Sequence, residues 1–274
     1  MVAVALGTLA GFVFDLDGCV WNGNVLNPGA AETLAAFHRA GRHLAFVSNN
    51  SRATGGDLRE RLHALGVAVA QHVLTPLEII GEVITQRWSR SRVLVMGAPE
   101  MVDAIARAGH AIVDTKDWRE ATVVAVGNDF DLTYERLTAA ARTAAATGRL
   151  VTPNVDPRLP VEGGEFLPGC GAIVKAVAVA AGDVEPVVVG KPEPPLFRMA
   201  LERLGLPASR VAMVGDSVAA DILGARGVGM ATVLYAPHGP RAAEPDVTVR
   251  SFAELASLAG VSPAAETHLT ANDN

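Results

Sequence analysis

The chain has 274 residues, half of them apolar, and carries a formal charge of −6 with a pI near 5.6. That length allows one large domain or two of ordinary size with ample core, and the negative charge argues against a nucleic-acid or anionic-membrane partner. Two cysteines, Cys19 and Cys170, give neither a disulfide framework nor zinc spacing, no run approaches the roughly 20 apolar residues of a membrane span, and the apolar start lacks the basic residues of a signal peptide, so a cytoplasmic setting is expected.

The first predicted element is the apolar run LAGFVF, which ends in Asp15-Leu16-Asp17-Gly18. Six apolar or small residues in a row read as a strand buried on both faces of a parallel sheet, and side chains two apart on a strand point the same way. Both carboxylates therefore leave one side of the strand's carboxyl end, the edge where ligands bind in open α/β sheets, and Gly18 lets the backbone turn sharply. A turn-rich stretch, NGNVLNPG, leads to a helix over 30–40 and then to a second apolar strand, HLAFV, ending in Ser48-Asn49-Asn50-Ser51. A charged helix, DLRERLHALG, follows, with its arginines and glutamates on a solvated face.

From about Pro76 to Asp183 a second alternating series runs through RVLVMG, PEMVDAIARAG, HAIVD, ATVVAVG, TYERLTAAARTAAATG, RLVTPN and GAIVKAVAVAAG, long enough for an independent α/β domain. A third series begins with EPVVVG, which delivers Gly190-Lys191-Pro192, and continues through helical PLFRMALERLG to RVAMVGD, helical VAADILGARG and MATVLY, with a short helix near Phe252. RVAMVGD places Asp216 on the ligand edge and Asp221 in the first turn of the next helix. The expected fold is α/β: a Rossmann-like doubly wound parallel sheet core from residues 1–76 and 184–274, with an inserted α/β cap domain over 77–183.

Taken singly, each polar cluster reads as an ordinary turn or helix cap. Four separate apolar strands that each deliver polar residues at the carboxyl end read instead as one site. The set holds a carboxylate nucleophile, a second carboxylate for proton transfer, a hydroxyl, a fixed cation and further carboxylates, an inventory suited to Mg²⁺, which favours one or two carboxylates with substrate phosphate and water. No His or Cys cluster competes for zinc or iron.

The order DLDG, SNNS, GKP and GDSVAAD resembles the four motifs of the haloacid dehalogenase superfamily and covers most of the chain. The long insert between the second and third motifs, containing FLPGCGAIVKAV, is similar to the class II type cap of the class IIA branch, which includes p-nitrophenyl, phosphoglycolate and pyridoxal phosphate phosphatases. The resemblance implies a Mg²⁺-dependent phosphatase that hydrolyses a small phosphate monoester through an aspartyl-phosphate, the ester being a sugar, polyol, glycolate or nucleoside phosphate, or pyridoxal phosphate. By that resemblance Asp15 attacks phosphorus, while Asp17 protonates the leaving oxygen, then deprotonates water, and lends the metal its backbone carbonyl. Ser48, Asn49, Lys191 and the backbone around Gly18 resemble the phosphate holders. Asp15 and Asp216 resemble the metal carboxylates, and Asp221 orients Lys191 or a metal-bound water.

The cap is expected to close over the site and read the leaving group. Its candidate reader is Thr152-Pro153-Asn154-Val155-Asp156, where many class IIA relatives have Thr-Asn-Pro-Asp; Asn154 and Asp156 are the specificity candidates. Arg158 or Glu162 could equally reach the ligand, and Phe166, Trp21 or His238 could stack on a ring. The resemblance also brings a homodimer through the cap as a candidate assembly. The rival readings are phosphoaspartate-type signalling and a metabolite-binding protein without turnover. A receiver domain would carry neither the long insert nor its phosphorylated Asp on the first strand, and no Gly-x-Gly-x-x-Gly follows that strand to suit a dinucleotide.

Overall fold

The structure, a computed structural model, describes residues 4–160, 165–239 and 245–263, so Glu162 and the polar tail lie outside the described residues. In chain order the strands are β1 (Gly11–Asp15), β2 (Trp21–Asn22), β3 (Val25–Leu26), β4 (His43–Val47), β5 (His72–Leu74), β6 (Arg92–Met96), β7 (Ala111–Val113), β8 (Val123–Val126), β9 (Leu150–Thr152), β10 (Arg158–Pro160), β11 (Phe166–Pro168), β12 (Val187–Val188), β13 (Val211–Gly215), β14 (Ala231–Tyr235) and β15 (Val247–Val249). The helices are α1 (Ala30–Arg39), α2 (Gly55–Ala64), α3 (Ile80–Trp88), α4 (Pro99–Arg107), α5 (Tyr134–Thr147), α6 (Cys170–Ala180), α7 (Pro194–Leu204), α8 (Gly224–Gly227) and α9 (Phe252–Leu258).

Two parallel sheets result. The first has the order β15-β14-β13-β1-β4-β5 and the second β12-β9-β8-β6-β7, while β2-β3 and β10-β11 are small antiparallel hairpins. Parallel strands need crossovers, and the helices between them supply those on both faces. β1 shows why its run is apolar throughout. Phe12 and Phe14 point to one face, where they meet Phe37, Phe46 and Phe252. Val13 points to the other, among Ala45, Met213, Leu196 and Phe197. Each fully buried side chain of this size contributes about 1.5–3 kcal/mol relative to exposure.

The Val13 cluster does not stop at the first sheet. It runs through Leu77, Ile79 and Ile80 to Val93, Val95, Val123 and Ala125 of the second, so the two sheets share one apolar cluster, and α5 and α6 cover the second sheet's other face. One strand departs from expectation. EPVVVG was expected to open the third series of the core, yet Val187 pairs with Val151 and Val188 with Thr152, which makes β12 the edge of the second sheet. Of the four strands expected to deliver the site, three belong to the first sheet, and the fourth reaches it from the second.

Candidate active site

The first sheet brings its polar clusters together at one edge by register. Asp15 lies opposite Val47 and Phe14 opposite Val214, so Asp15, Ser48 and Asp216 emerge side by side from the carboxyl ends of β1, β4 and β13. Lys191 arrives from the turn after β12. Its Nζ forms an ion pair with Asp15 and donates to Asp221 Oδ1 at 2.7 Å, and all three side chains are buried.

The placement of that lysine rests on Asn49. The Asn49 side chain donates to the Lys191 carbonyl at 2.9 Å and accepts the Lys191 N–H at 2.8 Å, clamping its main chain from both sides. The clamp leaves no room at the preceding residue: a Cβ on Gly190 would lie 2.6 Å from both Asn49 Oδ1 and the Pro153 carbonyl. Gly18 is a second close approach. Its φ is +91°, and a Cβ there would meet Asp216 Oδ2 at 2.6 Å. The Gly18 N–H, expected among the phosphate donors, donates at 2.8 Å to the Trp21 carbonyl and so closes the turn into the β2-β3 hairpin.

Asp17 is exposed, and both of its oxygens are occupied. Oδ1 accepts from the Trp21 indole N–H at 2.8 Å, and Oδ2 accepts from the Ser48 hydroxyl at 3.2 Å. Trp21, considered from the sequence as a ring that stacks on the ligand, is fully buried; its polar edge faces Asp17, and the Arg61 guanidinium sits 4.3 Å from its ring centroid. No spacing rule announces this contact, because it depends on how the hairpin folds back onto Asp17. Ser48 is held in turn by the Asn50 N–H, which donates to its oxygen at 3.1 Å. The far end of this loop is fixed by the capping box of Thr54 and Asp57 at the start of α2 and by Glu78, which accepts the Gly55 N–H at 2.6 Å.

The electrostatics ask for a cation. Burial pushes Asp15 well above the usual carboxylate range; Lys191 opposes that shift, and the charges of Asp221 and Asp17 add to it. Burial alone would lower Lys191, but the carboxylates of Asp15 and Asp221 hold it above its ordinary value. Asp15, Asp216 and Asp221 each place an oxygen within 4.8 Å of the others. Three hard oxygen donors close together, two of them sharing one lysine, fit a divalent ion such as Mg²⁺, which would balance the charge left over. Asp221 already has both oxygens engaged, Oδ1 by Lys191 and Oδ2 by the Ser217 N–H at 3.0 Å, which suits the expected role of orienting the lysine.

The second sheet closes over this edge. Asn154 is buried, and its amide donates to the Asn49 carbonyl at 2.6 Å while its Oδ1 accepts the Asp156 N–H at 3.0 Å, so it joins the two sheets beside the lysine clamp. Asp156 is exposed, and partial desolvation raises its carboxyl while the Asn49 side chain and the charge of Lys191 pull it back. Arg158 and Phe166 are exposed and contact each other, the guanidinium 4.2 Å from the ring centroid; His238 is also exposed. Cys170 donates to the Ser51 hydroxyl at 3.3 Å, and burial pushes its thiol up to about 11. Burial likewise raises Cys19 well above the usual thiol range. Both cysteines are free and buried, so neither is expected to react with a thiol reagent in the native protein at neutral pH, while two thiols should titrate after denaturation.

Comparison with known proteins gives the same picture. The family model of haloacid dehalogenase-like hydrolases matches residues 12–111, and a HAD-hydrolase-like model matches 188–255. The chain is 34% identical to chronophin of Mus musculus over 272 residues, covering 91% of this chain and 93% of that protein. It is also 34% identical to an acid sugar phosphatase of Staphylococcus saprophyticus over 223 residues, covering 81% and 84% respectively. The solved structure of a p-nitrophenyl phosphatase from Archaeoglobus fulgidus superposes with a TM-score of 0.82 at 28% identity, covering 91% of this chain and 98% of that one.

Proposed function

The chain belongs to the haloacid dehalogenase-like hydrolases, in their class IIA branch of phosphatases that act on small phosphate esters, and from that premise we propose how its own residues divide the reaction. The carboxylate of Asp15 attacks phosphorus, and the bond to the leaving oxygen breaks with its electron pair. Asp17 gives that oxygen its proton, so the products of the first step are an alcohol and an aspartyl-phosphate on Asp15. Water then attacks the same phosphorus, gives its proton to Asp17, and restores the Asp15 carboxylate as phosphate departs. The observation that carries this reading is the buried ion pair of Lys191 with Asp15, which sets a fixed positive charge beside the nucleophile, where the phosphoryl oxygens would lie.

Ser48, Asn49 and the backbone leading into Gly18 complete the phosphate cradle in this proposal, Asn49 through its hold on Lys191, while the Gly18 N–H itself stays on the Trp21 carbonyl. Asp15, Asp216 and the Asp17 carbonyl would hold Mg²⁺, with Asp221 on the lysine side. When bound, the ion supplies positive charge to the carboxylates and to the phosphoryl oxygens. Residues 1–76 and the chain from Lys191 onward are read as the core, and the segment between them as the cap, with β12 on the edge of the cap sheet. The exposed apolar side chains of Phe166 and Leu167 on the β10-β11 hairpin and Val179 on α6 support a cap surface covered in a homodimer. Two free cysteines support residence in the cytoplasm.

For the substrate, the polar cleft supports a small hydrophilic ester, in keeping with the sugar phosphatases among the relatives. Asp156 is proposed to read the leaving group and Asn154 to hold it in place. The test is phosphate release with Mg²⁺ across sugar phosphates, phosphoglycolate, glycerol phosphate, nucleoside monophosphates and pyridoxal phosphate, for the wild type and Asp156→Ala. Relative kcat/KM across the panel is expected to shift by about tenfold or more in the variant, as for loss of one polar contact to a substrate. A uniform change across all substrates would remove Asp156 from that role, and no release from any ester would remove the activity itself.

A further inference from the structure

The two oxygens of Asp17 are not equivalent, and the difference has a chemical consequence. An indole N–H can only donate, so the oxygen it faces must stay an acceptor throughout the cycle. A hydroxyl is free to donate or to accept. In this structure the indole of Trp21 faces Oδ1 at 2.8 Å, and the hydroxyl of Ser48 faces Oδ2 at 3.2 Å. The geometry points to Trp21 as a positioning residue: its indole fixes the Asp17 carboxyl plane and leaves Oδ2 as the oxygen that gives and takes the proton. Ser48 can follow either state. It donates to Oδ2 when Asp17 is a carboxylate, and its O–H can turn toward the phosphoryl oxygens when Oδ2 carries the proton, which leaves that proton for the leaving oxygen.

The surroundings of Trp21 are built to hold it still. Its ring is fully buried, and its main chain is tied into the turn, with the N–H donating to the Leu16 carbonyl at 3.0 Å and the carbonyl accepting from Gly18 at 2.8 Å. Arg61 of α2 lies over the ring and reaches past it to the hairpin tip, donating to the Gly23 carbonyl and, at 2.9 Å, to Asn24 Oδ1. Asn27 closes the other end by donating to the Cys19 carbonyl at 2.6 Å. A general acid must be aimed as well as present, because proton transfer falls off with misplacement of the donor. A buried ring under Arg61, on a main chain tied into the turn, and that indole on one oxygen are a means of aiming.

This inference rests on the proposed role of Asp17 as the proton donor, and the experiment separates the two. kcat/KM reports the steps up to the first irreversible one, which is transfer of the phosphoryl group to Asp15. It would be measured on an alkyl phosphate, glycerol phosphate, whose leaving oxygen needs a proton, and on dinitrophenyl phosphate, whose leaving oxygen needs none. The proteins compared would be the wild type, Asp17→Asn, Trp21→Phe, and a protein with benzothienylalanine at position 21, which keeps the bicyclic shape and lacks the N–H. Asp17→Asn is expected to lower the alkyl value by about 10²-fold or more and the aryl value by far less. Both changes at Trp21 should show the same split, roughly 10-fold or more against less than about 3-fold, since they leave the acid in place but unaimed. A split in Asp17→Asn without one in the benzothienylalanine protein overturns the role of the indole. Equal losses on both substrates in that protein do the same, because they report packing alone. Equal losses in Asp17→Asn overturn the parent reading and this inference with it.

Discussion

Asp15→Asn is expected to lower kcat on every phosphate ester by at least about 10⁴-fold, as removal of a covalent nucleophile does in other hydrolases, and to leave the fold intact. That loss corresponds to about 5 kcal/mol of transition-state stabilisation. An amide keeps the shape of the carboxyl but is a poor nucleophile, so neither the first bond nor the intermediate forms. The fold should tolerate the change because Lys191 keeps Asp221 as a partner at 2.7 Å. Asp15 also carries a cost of its own. Its carboxyl in the native state lies above its unfolded value of about 3.9, chiefly through burial. Native stability therefore declines as the pH rises from the unfolded value toward the raised one, since the native state binds more protons there. Asparagine removes that decline. In the presence of a chelator, the Tm of the variant between pH 4 and pH 7 should fall less steeply than that of the wild type. Phosphate release near the wild-type rate would refute Asp15 as the nucleophile, and a Tm drop of more than about 10 °C would show that its charge is structural.

The sequence made the sheet edge legible because strand ends are local events. GFVFD, HLAFV and VAMVG each stop where polar residues begin, and in a parallel sheet that end is the ligand edge. Which sheet a strand joins is not local. Val187 and Val188 look like any buried parallel strand, and only their pairing with β9 puts them beside the second sheet. The contact of Trp21 with Asp17 is hidden for a related reason. Four residues separate them, but a reversed hairpin rather than a helix or strand brings them together, and no periodicity reports that. Asn154 was readable as a residue of the cap loop. Its bond to the Asn49 carbonyl, across 105 positions of sequence, was not.

Lys191→Met is expected to damage stability as much as activity, and the two losses should respond differently to added metal. Methionine matches the length of the stem but leaves Asp15 and Asp221 buried without their shared cation. Breaking a buried pair by removing one partner costs about 3–5 kcal/mol, because the remaining charge is uncompensated. In a chain of this size that amounts to a Tm lower by on the order of 10 °C in a chelator. The cost is electrostatic, so a divalent cation held by Asp15 and Asp216, close to the Asp221 carboxylate, should offset part of it, and its addition should raise the variant's Tm by more than it raises the wild type's. Activity should not recover in parallel. Loss of one preorganised donor to the transferring group lowers kcat by about 10²–10³-fold, and saturating Mg²⁺ cannot replace a hydrogen-bond donor fixed beside the nucleophile. A variant whose Tm is unchanged in the chelator would show that Asp15 and Asp221 are neutral in the native protein. One that regains full activity with Mg²⁺ would show that Lys191 only balances charge and does not hold the phosphate.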